Sequence, residues 1–130
     1  MLRPTTIDGA IPERVLAQRE GAIDVPDNSL AHNALLGVAR DYLELQGAWT
    51  LKVLGGIGQK SGVPDLLACC QGRMVAVECK TGGGVLNRNQ RRERPLMECA
   101  GCLYVECRSL QDLITVIRAA GLERVRAVLT

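Results

Sequence analysis

The sequence predicts one α/β domain, a central mixed β-sheet of about four strands flanked by helices in the order α-β-β-β-α-β-α. Helical and alternating apolar patterns succeed one another in that order between residues 29 and 130. The 130-residue length suits a single domain, and the 47% hydrophobic fraction allows a real core. With one Trp, two Tyr and no Phe, that core should be aliphatic. An N-terminal arm, residues 1–28, precedes the domain, with a short helix expected at "PERVLAQRE".

The first half of the domain is predicted to be one helix followed by three strands. From Ser29, apolar residues at helical spacing in "LAHNALLGVARDYLELQG" predict an amphipathic helix that ends at Gly47. The strand "AWTLKVL" follows, and then a glycine-rich loop that extends to Gly62. "DLLACCQ" and "MVAVECK" are strands on either side of a tight "QGR" turn, which makes them a hairpin.

The second half is predicted to be a helix, a strand and a helix. The first helix should cover about residues 87–100 and end at Gly101, with Pro95 kinking or breaking it. "CLYVECR" predicts a strand. The last helix, "LQDLITVIRAAG", should begin at a capping box formed by Ser109 and Asp112.

Composition and charge exclude several classes of function. No apolar run approaches the roughly 18 residues of a membrane span, and the N-terminus lacks a signal-peptide core, so we expect a cytoplasmic protein without a membrane partner. Its six cysteines should then be reduced and mostly buried. Positive charge is concentrated in residues 55–94, which hold seven Lys/Arg against three Asp/Glu. Such a segment is typical of a protein that meets a polyanion.

The glycine-rich segment "GGIGQKSGVPD" invites comparison with a nucleotide-binding loop. A P-loop needs G-x-x-x-x-G-K-[ST] followed by a helix whose N-terminus faces the phosphates. Here Gln59 precedes Lys60, Leu54 occupies the first glycine position, and Ser61 leads into a strand. We therefore expect no nucleotide cofactor.

Acidic residues of the hairpin form a better candidate site. Side chains alternate along a strand, so Glu78 and Lys80 share one face with Ala76. Asp65 opens the neighbouring strand behind Pro64 and can meet Glu78 across the hairpin. Two adjacent carboxylates repel unless a cation joins them, and hard oxygen ligands select Mg²⁺ or Mn²⁺. Such an ion can polarise a phosphodiester, and a nearby lysine can stabilise charge in the transition state.

The stretch "GVPDLLACCQGRMVAVECKTGGGVLNRNQRR" closely resembles the VRR-NUC family of the PD-(D/E)XK nuclease superfamily. The family's pattern is a Gly-rich lead-in, PD, a hairpin, E-x-K and a glutamine on the next helix. The resemblance spans about residues 29–117 and is most specific from Pro64 to Gln90. It implies a restriction-endonuclease-like core and a metal-dependent endonuclease that hydrolyses phosphodiesters with Mg²⁺ or Mn²⁺.

The resemblance also implies roles for individual residues. By position, Asp65 and Glu78 would be metal ligands, and the backbone carbonyl of Cys79 would be a third. Lys80 would be the catalytic lysine, and Gln90 matches the family's helix glutamine. These four side chains and one carbonyl make up the expected site.

The first helix departs from the family's pattern. Family members commonly carry an acidic residue early in this helix, but His32 or Asn33 stands near the matching position. His32 is a candidate substitute ligand, because imidazole accepts Mn²⁺ better than Mg²⁺; the alternative is an ordinary polar residue of the first turn. Glu20 in the arm is a weaker candidate. The missing acid leaves the number of metal ions open.

The resemblance further implies a substrate and an assembly. Small stand-alone members, often from phages, resemble homodimeric, structure-selective endonucleases that cut four-way (Holliday) junctions. We therefore expect branched DNA as the substrate, a homodimer, and the cytoplasm of a bacterial or phage-infected cell as the location. Candidate phosphate contacts are the basic residues of the Gly-rich loop and the following helix: Lys60, Arg88, Arg91, Arg92 and Arg94.

Two alternatives come from other classes of protein. "CAGC", from Cys99 to Cys102, with Cys107 beyond it, has the spacing of a zinc or iron–sulfur site. However, Cys69 and Cys70 should point to opposite faces of their strand, which makes a four-thiolate site hard to assemble. The second alternative is a catalytically silent DNA-binding module of the same fold. The intact acidic, lysine and glutamine motif argues against it.

Overall fold

The computed structural model describes residues 28–126. Seven elements follow one another: helix α1 (Asn28–Leu45), strands β1 (Trp49–Lys52), β2 (Leu66–Cys70) and β3 (Arg73–Cys79), helix α2 (Arg88–Cys99), strand β4 (Leu103–Cys107) and helix α3 (Leu110–Ala119). This order and the mixed four-stranded sheet confirm the predicted fold class. The helix predicted at "PERVLAQRE" and the candidate Glu20 lie outside the described residues. None of the helices in residues 28–126 is long and apolar enough to cross a membrane.

The sheet has the strand order β1-β2-β3-β4. The first three strands are antiparallel, whereas β3 and β4 are parallel and therefore need a crossover, which contains α2. The turn between β2 and β3 has positive φ at both central residues, 51° at Gln71 and 81° at Gly72, as a type I′ hairpin turn requires. The predicted hairpin is therefore confirmed, with its register fixed by a two-residue turn.

The main core lies on one face of the sheet, under α1 and α3. Alternation along β3 sends Val75, Val77 and Cys79 into this core. Ala76 and Glu78 are buried on the opposite face, where Ala76 packs with Tyr104 and with residues near α2. The carboxylate of Glu78 is thus presented on the face that carries the basic helix.

Helix ends agree with the sequence signals, with one difference. Gly47 and Gly101 have left-handed φ values of 85° and 99° just beyond α1 and α2, and a capping box at residues 109–112 starts α3. Pro95 does not break α2, which continues through it. Both Pro95 and Arg91 are exposed, so the Arg91 carbonyl that loses its intrahelical donor can bond to water instead.

Candidate active site

The candidate site forms where β2 begins and β3 ends. Leu66 pairs with Val77, which sets Asp65 beside Glu78 across the hairpin. The backbone N–H of Cys79 donates to Asp65 Oδ2 at 3.0 Å. This bond ties the Asp65 carboxylate to the last residue of β3, so both acids sit at the open end of the hairpin.

Glu78 is a buried carboxylate with incomplete hydrogen bonding. Only 2% of the residue is exposed, and Oε1 is buried without a hydrogen-bond partner. Lys80 Nζ lies 3.4 Å from the other oxygen, Oε2. Burial first, and then the negative charge of Asp65, raise the pKa of Glu78 to about 7 although Lys80 opposes the shift. A buried, unsatisfied carboxylate oxygen beside a second acid is an environment that a cation would stabilise.

His32 belongs to the same cluster. Its Nε2 lies 3.1 Å from Asp65 Oδ2, although 33 residues separate the two in sequence. His32 stands in the second turn of α1, not the first, and is half-buried. His32 therefore contacts the Asp65 carboxylate of the candidate site, and its role as a substitute ligand stays a prediction.

Gln90 caps helix α2. The Gln90 side-chain Oε1 accepts the Asn87 backbone N–H at 2.9 Å, and the Gln90 backbone N–H donates to Asn87 Oδ1 at 2.9 Å. This reciprocal pair is a capping box, which satisfies two donors that a helix start otherwise leaves free. The sequence carries its signature, "NRNQ", which the sequence analysis missed. The structure thus places Gln90 in the first turn of α2, where its side chain completes the cap.

Glu93 is a further acidic residue that the sequence analysis missed. Its buried carboxylate pairs with Lys60 Nζ and Arg92 Nε, each at 3.0 Å. Bonds to these two cations hold the pKa of Glu93 below its usual range. The only signal in the sequence was one acid within the basic run "RRER". Lys60 and Arg92, both expected to contact phosphates, are therefore ion-pair partners of the same carboxylate, Glu93.

The remaining basic residues of α2 face two directions. Arg88 and Arg91 are exposed. Arg94 instead lies over the Tyr104 ring, 4.9 Å from its centroid, and pairs with Glu106 of β4 at 3.5 Å. Arg94 is therefore held against the sheet, which makes it the poorest phosphate contact among the predicted set.

The cysteines are distributed through the fold and are all free. Cys69 is exposed and Cys70 buried, as strand alternation predicts. Cys102 packs on the α2 side of the sheet, Cys107 lies in the main core on the opposite side, and Cys99 is exposed. The three cysteines of the zinc-like spacing thus point to separate places, and the geometry gives that alternative no support.

The donor set at the hairpin fits an open site for a hard cation. Within residues 28–126 no group of three or more His, Cys, Asp or Glu side chains is placed so that it could hold a metal ion. Mg²⁺, however, is usually held by one or two carboxylates and keeps several waters. Asp65 and Glu78 supply two carboxylates, and the unpartnered Glu78 Oε1 supplies an oxygen without a competing donor.

The fold is similar to that of a solved structure. A structure entitled "VRR_NUC domain" matches the chain with a TM-score of 0.58 and 25% sequence identity, and the match covers 67% of this chain and 94% of that one. A scan against family models and a search of curated proteins gave no match. The match shows that the chain has the fold of a VRR_NUC domain, and it supports the resemblance to the VRR-NUC family that the sequence motif indicates.

Proposed function

We propose that the protein is an Mg²⁺- or Mn²⁺-dependent endonuclease that hydrolyses DNA phosphodiesters. One observation carries this proposal: Asp65, Glu78 and Lys80 converge at the open end of the hairpin, with Glu78 Oε1 buried and unpartnered. The similarity of the fold to a VRR_NUC domain supports the reaction class.

Each residue of the cluster has a role in this proposal. Asp65, Glu78 and the Cys79 carbonyl would hold the ion, with His32 beside Asp65. When bound, the ion would polarise the scissile phosphate and lower the pKa of a water. The Lys80 ammonium, largely buried, would stabilise negative charge that develops on the phosphate. The Cys79 N–H would keep the Asp65 carboxylate oriented throughout.

Phosphate contacts beyond the cut site would come from the exposed side of α2 and the Gly-rich loop. Arg88, Arg91 and Arg92 are exposed on α2, and Lys60 stands on the loop beside them. Such contacts bind DNA without reading its sequence. We propose branched DNA, in particular a four-way junction, as the preferred substrate, on the resemblance to small stand-alone family members.

The experiment uses a labelled four-way junction and a linear duplex of the same sequence. Each is incubated with the protein in Mg²⁺, Mn²⁺ or EDTA, and binding is measured in parallel. Junction cutting that requires metal and exceeds duplex cutting supports the proposal. Binding without cutting in either metal would instead favour a silent DNA-binding module.

We also propose a homodimer, supported by an uncovered apolar sheet face. Trp49 pairs with Cys69, which pairs with Met74, and these three side chains form an exposed row on the α2 side of the sheet. Trp49 is 65% exposed, Met74 50%, and Leu51 beside them 47%. An apolar area that continues to the edge strand β1 is a surface that a second copy would cover. Two active sites would suit two cuts in one junction.

Substitution of this face should separate the protomers. We expect Trp49→Glu and Met74→Glu each to shift the protein from dimer to monomer at micromolar concentration in light scattering, because a buried unpaired charge is costly. Leu96→Glu is the matched control, since Leu96 is exposed on α2, outside the face. A wild-type monomer, or two variants that stay dimeric, would contradict the proposed interface.

A further inference from the structure

The loop between β1 and β2, residues 54–64, displays two aliphatic side chains that the proposed chemistry does not use. Leu54 is 85% exposed and Ile57 fully exposed. Residues 55, 56 and 58 are glycines, so Ile57 is the single side chain at the tip. Large aliphatic groups that stand free of the domain surface are typical of contact sites.

The tip has a defined conformation. The Gln59 N–H donates to the Gly56 carbonyl at 3.2 Å and closes a β-turn with Ile57 and Gly58 at its corner. Gly58 has a φ of 88°, the value that the third position of a type II turn requires. The Gln59 side chain also accepts the Gly55 N–H at 3.1 Å. Ile57 is therefore held outward at the corner of a hydrogen-bonded turn.

The base of the loop is attached to the active site. The Val53 N–H donates to the backbone carbonyl of Asp65 at 2.8 Å, so the loop starts and ends at a proposed metal ligand. The Lys60–Glu93 ion pair joins its second half to α2. Ile57 is four residue steps from Val53, which limits the tip to about 14 Å from the loop base. That reach corresponds to about four nucleotide steps of roughly 3.4 Å.

Substrate DNA is the occupant that this position favours. Lys60 and Arg92 stand where the loop meets α2 and share one partner, Glu93, so the group keeps a net positive charge that is complementary to phosphates. The tip lies within about 14 Å of the loop base beside Asp65, so DNA that is cut at Asp65 passes within reach of Ile57. Isoleucine is among the side chains that enter base steps as apolar wedges, at the cost of unstacking the bases. That cost is lowest where the stack is already interrupted.

We propose that Ile57 is a wedge that enters the interrupted base stack at a DNA branch point and so selects branched DNA over linear duplex. The proposal rests on the proposed nuclease function and adds the residue that determines its specificity. It also places the cut within a few nucleotides of the branch, because the tip is held within about 14 Å of the loop base beside Asp65.

The test compares wild type with Ile57→Ser, Ile57→Met and a control, Leu96→Ser, which alters an exposed leucine outside the loop. The ratio of junction to duplex cleavage should fall at least about tenfold in Ile57→Ser, whereas Ile57→Met and Leu96→Ser should keep it. In EDTA, wild type should raise the fluorescence of 2-aminopurine placed at the branch, which reports unstacking without cleavage, and Ile57→Ser should not.

Three outcomes would overturn the wedge. An unchanged cleavage ratio and an unchanged fluorescence rise in Ile57→Ser would show that the side chain does not enter the stack. A change of Ile57→Ser from dimer to monomer in light scattering would make the tip a protein contact. Cuts far from the branch would contradict the reach of the loop. The failure of wild type to cut any DNA would instead count against the nuclease function itself.

Discussion

Lys80→Ala should reduce junction cleavage by about 100- to 1000-fold while junction binding in EDTA is retained. The Lys80 ammonium lies 3.4 Å from Glu78 Oε2. Removal of one preorganised group that stabilises transition-state charge typically costs this much. Because its contribution falls on the chemical step, the loss should appear in single-turnover cleavage rates and not in fluorescence-anisotropy measurements of binding.

Lys52→Ala is the matched control, since Lys52 is an exposed strand lysine on β1. Its cleavage rate should stay within about twofold of wild type, as for other surface substitutions away from a site. Lys80→Arg keeps the charge but changes its shape, and should recover only part of the rate. Equal losses in Lys80→Ala and Lys52→Ala would show that general positive charge, not the position of Lys80, supports cleavage.

Glu78→Gln should abolish cleavage and yet stabilise the metal-free protein at pH 8. The pKa of Glu78 is raised from 4.5 to about 7 in the folded protein, chiefly by burial. Below about pH 4.5 Glu78 is protonated in both states and does not change the free energy of unfolding. Between about pH 4.5 and 7 the carboxyl ionises in the unfolded chain but not in the folded protein, so the free energy of unfolding falls increasingly as the pH rises. The full cost is on the order of 3 kcal/mol at about 1.4 kcal/mol per pKa unit. Glu78→Gln removes this cost because glutamine carries no charge.

Urea denaturation at pH 5 and pH 8 in EDTA measures this effect. The stability advantage of Glu78→Gln over wild type should be larger at pH 8 than at pH 5. Mg²⁺ should stabilise wild type and have little effect on the variant, since a ligand that binds only the folded state raises its stability. Glu98→Gln, which alters an exposed acid of α2, is the control for loss of charge. A pH-independent difference, or equal stabilisation of both proteins by Mg²⁺, would contradict the role of Glu78.

Local patterns were sufficient to predict the elements and the side-chain directions. Alternation in "MVAVECK" predicts that Glu78 and Val77 point to opposite faces, and the structure has them so. The "QGR" turn predicts the hairpin, and a two-residue type I′ turn forms it. These features depend on neighbours in sequence, where the backbone period and turn geometry leave few alternatives.

Contacts between distant segments could not be predicted in the same way. The approach of His32 to Asp65 depends on how α1 lies across the sheet, and no local pattern contains that angle. The burial of Glu93 depends on the Gly-rich loop folding back onto α2, where the Asn89 carbonyl would lie 2.5 Å from a Cβ at Gly62. Only a glycine allows that approach, so Gly62 is the residue that lets the loop pack against α2.

Cleavage of a labelled four-way junction by wild type and Asp65→Asn, in Mg²⁺ and in EDTA, tests the central claim most directly. Asparagine keeps an oxygen that can accept the Cys79 N–H but removes the charge that a divalent ion needs. We expect wild type to cut in Mg²⁺ only, and Asp65→Asn to bind the junction but cut at least about 100-fold more slowly. Cutting by wild type in EDTA, or an Asp65→Asn rate equal to that of wild type, would contradict a metal-dependent nuclease at this hairpin.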